Sequence, residues 1–217
     1  MSLEFKSIAS ALTLLAFCLA GFPAMAQETP QTQQVQDGPK GAVAQLNGTL
    51  LDVMQAAETL GYQGRYERLD PVLRATFNFP VMARISIGRH WSKLDEAQQA
   101  RMAETFARMS VATFAARFDG FSGERFEVLG EEEGLRKTIL VRNQLVLPDG
   151  EVIPLNYLFR KAKGGWRAVD VYLDAKFSEL ATKRSEYSAI LGREGFDGLI
   201  AAIERKIEEL KSGAETG

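Results

Sequence analysis

The stretch WRAVDVYLDAKFSELATKRSEY, residues 166–187, combines a strand pattern and a helix pattern with almost no loop between them. In its first half the side chains alternate in steps of two, which is typical of a β-strand. In its second half, residues recur three or four apart along one mainly apolar stripe, which predicts an amphipathic helix. The predicted strand faces are Arg167, Val169, Val171 and Leu173 against Trp166, Ala168, Asp170 and Tyr172, and the helical stripe is Phe177, Leu180, Ala181, Arg184 and Tyr187.

Asp170 and Arg184 are the charged residues that stand out in these patterns. Asp170 lies between apolar neighbours on its strand face, and Arg184 interrupts the apolar stripe of the helix. Because the joint between Leu173 and Phe177 is short, it holds the strand end against the helix. We therefore predict a partly buried structural ion pair between Asp170 and Arg184. The alternative role for Asp170 is a general base whose pKa is raised by apolar surroundings.

Strand patterns also precede this stretch. One begins near Phe126, and alternating apolar residues fill 135–147 and 153–159. Residues 148–150 (Pro-Asp-Gly) and 163–165 (Lys-Gly-Gly) are turn signals, because proline sets the first turn dihedral and glycine accepts a positive φ. The sequence therefore predicts a curved antiparallel meander of four strands.

Helical periodicity dominates the chain on both sides of the predicted sheet. The predicted helices are one around 46–57, one opened by Asp70 and Pro71, one opened by Pro80, a long one over 94–118 capped by Ser92, the one in the second half of the opening stretch, and one over 196–210. The fold class is therefore α+β, with helices first, then the sheet, then two C-terminal helices.

The N-terminus has the pattern of a cleavable signal peptide. An apolar run over 8–19 follows Lys6, and Ala24-Met25-Ala26 has the small-x-small form that signal peptidase reads. The run is too short to span a bilayer. We expect cleavage after Ala26, a disordered linker at 27–41, a single domain at 42–211 and a flexible tail at 212–217.

The composition excludes several kinds of chemistry. Cys18, the single cysteine, lies in the predicted leader, and His90 is the single histidine. The sequence has no metal-ligand spacing, P-loop, dinucleotide fingerprint or nucleophile elbow. A net charge of −2 gives no sign of a nucleic-acid partner. We expect no metal and no cofactor, and this composition favours binding over turnover.

Several short motifs follow one another in a fixed order along the chain. They are Pro80-Val81-Met82-Ala83-Arg84, Gly88-Arg89-His90-Trp91, Gln98-Gln99-Ala100-Arg101 with Phe106, Trp166-Arg167-Ala168-Val169-Asp170-Val171, Phe177-Ser178-Glu179-Leu180, Arg184-Ser185-Glu186-Tyr187 and Gly195-Phe196-Asp197-Gly198-Leu199-Ile200. This order resembles the MlaC or toluene-tolerance family of periplasmic phospholipid-binding proteins over about 42–210. Ala175 stands where the family usually has glycine, and the form of 178–187 is more similar to the hopanoid-associated branch, HpnM.

The resemblance implies a periplasmic shuttle without enzymatic activity. Its ligand would be a phospholipid or a hopanoid, carried between an inner-membrane ABC-transporter complex and an outer-membrane acceptor. The apolar part of the lipid would lie in a cavity between sheet and helices, in a fold of NTF2-like general shape, with the head group near the mouth. We expect a monomer.

Apolar residues of the sheet and two helices form the predicted lipid-binding site, in which the small side chain of Ala103 leaves volume open. They are Val81, Met82, Ile85, Met102, Ala103, Phe106, Ile139, Val141, Leu155, Tyr157, Val169 and Val171. An ordinary filled core is the competing interpretation of these residues. Two other functions remain open: an enzyme with Asp170 as base and Tyr172 or Tyr157 as hydrogen-bond donor, and an interaction module that holds no ligand.

Overall fold

This computed structural model of the chain describes residues 38–173 and 177–215, so the predicted leader, its cleavage site and most of the predicted linker lie outside the described residues. The predicted α+β fold is confirmed. The helices are α1 (Pro39–Gln55), α2 (Ala57–Thr76), α3 (Phe79–Ile87), α4 (Glu96–Arg117) and α5 (Glu179–Glu215), and the strands are β1 (Arg125–Glu133), β2 (Thr138–Val146), β3 (Val152–Ala162), β4 (Gly165–Leu173) and β5 (Phe177–Ser178).

Helix α1 starts earlier than the sequence pattern predicts. Pro39 occupies the first turn, where the missing N–H of proline removes no helical hydrogen bond. Residues 39–41 are therefore helical, although we expected them in the linker. At the other end of the domain, α5 continues to Glu215, so the expected tail at 212–217 begins within a helix.

The predicted helix start at Asp70 and Pro71 is wrong, because Pro71 lies inside α2. Leu69 and Leu73, on either side of the proline, are completely buried. Their burial offsets the cost of the missing backbone hydrogen bond. Asp70 pairs with Arg74 one turn later, with an Nε to Oδ1 distance of 2.8 Å, instead of capping a helix.

Asp95, not Ser92, caps α4. The Asp95 carboxylate accepts a hydrogen bond from the Gln98 backbone N–H at 2.8 Å, and the Gln98 side chain accepts one from the Asp95 N–H at 3.1 Å. This reciprocal capping box satisfies two backbone donors at the start of the helix. Ser92 lies in the 3₁₀ segment Gly88–Lys93 between α3 and α4.

The sheet is an antiparallel meander with strand order β1-β2-β3-β4-β5. The predicted four strands are confirmed, and the two residues of β5 add a short fifth strand beside β4. Strand β2 begins at Thr138 rather than at Leu135. The reason is that Arg136 and Lys137 adopt positive φ angles of 56° and 59°, which turn the chain before the ladder starts.

A β-bulge in β4 changes the strand faces that simple alternation predicts. Ala168 pairs with Phe159 and Asp170 pairs with Leu158, so Val169 has no opposite residue on β3. The bulge places Ala168 in the same core as Val171, although alternation puts them on opposite faces. The backbone C=O of Ala168 accepts a hydrogen bond from the Asn78 N–H at 2.8 Å, which joins the sheet to the start of α3.

The helices cover the face of the sheet that carries Val141, Tyr157 and Phe159. Helix α4 packs against α2, α3 and α5, and α5 also contacts β4. The backbone of α5 leaves helical geometry at Gly195, where φ is 70°. This positive φ favours glycine and divides α5 into the two C-terminal helical segments that the sequence predicts.

Arg65 is a buried cation that joins the helix ends. Its side chain is 4% exposed; Nε donates to the Ala115 carbonyl at 2.9 Å and Nη1 donates to the Ala57 carbonyl at 3.2 Å. Ala115 lies in the last turn of α4, and Ala57 begins α2 one turn before Gly61, where a positive φ of 57° interrupts the helical geometry. Carbonyls at helix C-termini carry partial negative charge and lack helical partners, so a guanidinium satisfies them.

Replacing Arg65 by methionine should destabilise the protein by about 1.5–3 kcal/mol, the range for hydrogen bonds to charged groups. The change keeps most of the side-chain volume and leaves the two carbonyls without donors. Denaturant unfolding followed by circular dichroism measures the effect. The matched control is Arg68→Met on the exposed side of α2, expected within about 0.5 kcal/mol of wild type. Equal effects of both changes would contradict the capping role of Arg65.

Candidate functional site

A cavity of about 590 Å³ lies between the sheet and helices α3, α4 and α5. This volume falls within the range of about 300–1,000 Å³ that is usual for sites of small molecules and cofactors. Most of its wall is apolar. Protein interiors are normally close-packed with few voids larger than a water molecule, so a cavity of this size is a candidate binding site.

A set of aromatic rings forms the inner wall of this cavity. Phe77 stacks on Phe79 with 5.6 Å between ring centroids, and it contacts Phe114 at 6.1 Å and Tyr157 at 6.0 Å. Phe118 continues the set by stacking on Phe114 at 5.6 Å. Rings from the α2–α3 junction, α4 and β3 thus support one another, which stiffens the wall around an apolar volume.

Two phenols, Tyr157 and Tyr187, also line the cavity. Burial raises the pKa of each phenol well above its ordinary value. Both phenols are therefore neutral at physiological pH. Together with the hydroxyl groups of Ser110 and Thr113, they place only uncharged polar groups among the apolar residues of the wall.

The charged residues of the wall lie together at one end of the sheet. They are Arg117 at the end of α4, Glu151 before β3, and Glu179 and Lys183 in the first turns of α5, and we call this set the charged mouth. The pairing of Leu155 with Leu173 places the start of β3 beside the end of β4, from which the chain leads to α5. Because Arg117 and Glu151 are exposed, the cavity opens to solvent at this end.

The structure brings together only part of the predicted lipid-binding set. Met82, Phe106, Leu155, Tyr157 and Val171 line the cavity. The others do not line it: Val81, Ile85, Met102, Ala103, Ile139, Val141 and Val169. Met102 and Val141 are completely buried in the filled core, and Ala103 lines a separate crevice of about 230 Å³ beside α4. The competing interpretation, an ordinary core, is therefore correct for part of the set.

Sequence reasoning missed other residues of the cavity wall. They include Met109, Thr113, Phe114 and Phe118 of α4, Ile153 and Leu173 of the sheet, and Leu180 and Tyr187 of α5. A signal existed for α4 and α5, because most of these residues continue the apolar stripes that contain Phe106 and Leu180. Which residues of a stripe fill the core and which border the cavity depends on how the helices cross the sheet. Sequence periodicity does not encode that crossing.

Asp170 caps the start of α5. Its Oδ2 accepts a hydrogen bond from the Ser178 hydroxyl at 2.6 Å, and its Oδ1 accepts from the backbone N–H groups of Val171 at 2.8 Å and Leu180 at 3.2 Å. The Ser178 Oγ in turn accepts from the Ala181 N–H at 2.9 Å. A carboxylate at a helix N-terminus also interacts favourably with the helix dipole. The side chain of Asp170 thus joins β4 to α5.

The predicted ion pair between Asp170 and Arg184 is replaced by this cap. Arg184 is exposed, and its guanidinium lies over Gly88, where an added Cβ would be 3.0 Å from Nη2. The general-base alternative also loses support, since Asp170 is outside the cavity wall and accepts three hydrogen bonds from its neighbours. Burial raises the pKa of Asp170, and the hydrogen bonds from Ser178, Leu180 and Val171 partly oppose this shift.

In residues 38–173 and 177–215, no group of three or more His, Cys, Asp or Glu side chains is arranged to hold a metal ion. No helix in this part of the chain is long and apolar enough to cross a membrane.

Both the sequence and the fold of this chain have counterparts among known proteins. The family model described as MlaC protein matches residues 44–205. The solved structure of a phospholipid-binding protein from Ralstonia solanacearum, in complex with a phospholipid, has a TM-score of 0.70 to this chain at 18% sequence identity. The similarity covers 80% of this chain and 98% of that chain. At this level of identity the structural match shows a shared fold.

Asp170→Ala should lower the free energy of unfolding by about 1–3 kcal/mol, because it removes a buried acceptor from the start of α5. Arg184→Ala should change it by less than about 0.5 kcal/mol, since Arg184 is exposed and does not contact the carboxylate. Denaturant titrations of both variants and of the double variant measure these effects. A coupling energy above about 1 kcal/mol in this double-mutant cycle would reinstate the ion pair.

The raised pKa of Asp170 predicts a specific pH dependence of stability. The native state holds the Asp170 proton more tightly than the unfolded state, so this group stabilises the fold at low pH and loses that contribution as pH rises through its native pKa. The stability difference between wild type and Asp170→Asn should therefore shift in favour of wild type from pH 7 to about pH 4. A shift in favour of the asparagine variant would mean that the native pKa is lowered.

Proposed function

We propose a lipid-carrying function for this chain, which belongs to the MlaC family. The chain binds a phospholipid in the cavity between its sheet and helices and carries it as a transport protein rather than transforming it. The observation that carries this proposal is the apolar cavity of about 590 Å³ with charged residues only at its open end.

The physical demand of carrying a lipid matches this cavity. Each CH₂ group removed from water contributes about 0.8 kcal/mol, so an apolar wall alone supplies a large driving force for acyl-chain binding. Aromatic rings such as Phe77 and Phe114 provide that wall, and the buried phenols are neutral. The phospholipid in the neighbour from Ralstonia solanacearum supports the choice of ligand for the same fold.

The cellular route is part of the same proposal. We infer that residues 1–26 export the chain to the periplasm, where it moves lipid as a monomer between an inner-membrane ABC-transporter complex and an outer-membrane acceptor. A hopanoid is the alternative ligand, and its motivation is the form of the segment 178–187, which resembles the HpnM branch. Analysis of the lipid bound to the protein from its native host distinguishes the two ligands.

The two other functions have less support. An enzyme with Asp170 as base would have to break the cap of α5 to free the carboxylate. A module without a ligand would be expected to fill the sheet face with side chains, whereas Leu155, Tyr157 and Val171 border open volume.

Protein purified under native conditions should carry extractable lipid, measured by mass spectrometry as lipid per protein. Thr113→Trp should lower this amount at least about threefold with little loss of stability, because the indole would occupy cavity volume rather than overpack a filled core. The control on the same helix is Ala103→Trp, outside this cavity, which should keep its lipid. Wild-type protein without lipid in repeated preparations and after incubation with phospholipid vesicles would overturn the proposed function. Full lipid content in Thr113→Trp would place the ligand elsewhere.

A further inference from the structure

The charged mouth contains both signs of charge in equal number. Arg117 and Lys183 are cationic, and Glu151 and Glu179 are anionic, while the rest of the cavity wall is uncharged. An apolar cavity needs no charged residues to bind acyl chains. The chemistry at its open end therefore bears on the part of the lipid that stays outside the cavity, which is the head group.

We propose that the charged mouth selects phospholipids whose head group carries both a phosphate and an ammonium group over phospholipids with a net negative head group. This inference rests on the proposed function, because it assumes that the acyl chains fill the cavity. It names the class of lipid: a diacyl phospholipid of the phosphoethanolamine or phosphocholine type.

The cations come from two helices that border the opening. Arg117 is the last residue of α4, and Lys183 lies in the second turn of α5. A guanidinium matches the oxygens of a phosphate through paired N–H groups, and an ammonium adds a flexible point charge. Lys183 also forms an ion pair with Glu186, at 3.1 Å, which directs part of its charge to solvent. Arg117 is therefore the principal phosphate ligand.

The carboxylates determine the preference between head groups. Glu151 lies in the turn before β3, and Glu179 is the first residue of α5, one helical turn before Lys183. A phosphate alone would bring negative charge to a mouth that already contains two carboxylates. A head group with an ammonium places a positive charge within reach of them. Because these residues are partly or fully exposed, the preference should be about threefold, the size expected for one solvent-exposed ion pair.

The experiment is a competition between two lipids with identical acyl chains. The purified chain is incubated with vesicles of equimolar phosphatidylethanolamine and phosphatidylglycerol, reisolated, and analysed for both lipids by mass spectrometry. We expect about threefold enrichment of phosphatidylethanolamine in wild type. The enrichment should disappear in Glu151→Gln and in the double variant with Glu179→Gln. In a second set of vesicles that also contain diacylglycerol with the same acyl chains, which has no phosphate, Arg117→Gln should lower uptake of both phospholipids relative to diacylglycerol.

The control variant is Glu132→Gln. Glu132 lies near the end of β1, at the other end of the β1–β2 ladder from Val146, and its carboxylate pairs with Arg142 at 2.9 Å. It should keep the wild-type enrichment. Glu151 lies in an exposed turn, so Glu151→Gln tests the proposal even if the double variant folds poorly. Equal uptake of the two phospholipids by wild type, or enrichment that survives Glu151→Gln, would overturn the head-group selection while leaving the lipid carrier intact. Uptake of neither lipid would instead overturn the proposed function.

Discussion

The hydrogen bonds accepted by the Asp170 carboxylate are the interaction on which the arrangement of this domain depends. This side chain extends from β4 and accepts hydrogen bonds from the Ser178 hydroxyl and the Leu180 N–H, so the first turn of α5 is held against the sheet. Leu180 and Tyr187 then form part of the cavity wall. A buried carboxylate that serves as a helix cap thus positions one side of a cavity whose wall it does not line.

A second attachment joins another helix to the same strand. The bulge at Val169 leaves the Ala168 carbonyl in place to accept the Asn78 N–H, which ties the start of α3 to β4. The Phe77 ring, beside this contact, begins the aromatic set of the inner wall. Both α3 and α5 are thus attached to β4, and the cavity lies between these helices, α4 and the sheet. The cavity opens at the charged mouth.

Periodicity in the sequence was sufficient to predict the class of fold and some of the residues that line the cavity. Strands β2 to β4 and the C-terminal helices follow from patterns of two and of three or four residues, because one face of each element must be buried. The order of short motifs over most of the chain was sufficient to predict the family. Met82, Phe106, Leu155, Tyr157 and Val171 were found as cavity residues because they are large, apolar and on inward faces.

The sequence by itself therefore determined which elements form, which faces are buried and which family the chain belongs to, since local spacing and composition decide these. Only the tertiary structure decided that Met102 and Val141 fill the core whereas Thr113 and Tyr187 border open volume, because the distance between packed elements separates a filled core from a cavity. It also decided the partner of Asp170. The backbone N–H of Leu180 at the start of α5 lies 3.2 Å from the Asp170 carboxylate, a contact that the spacing of charged residues along the sequence does not reveal.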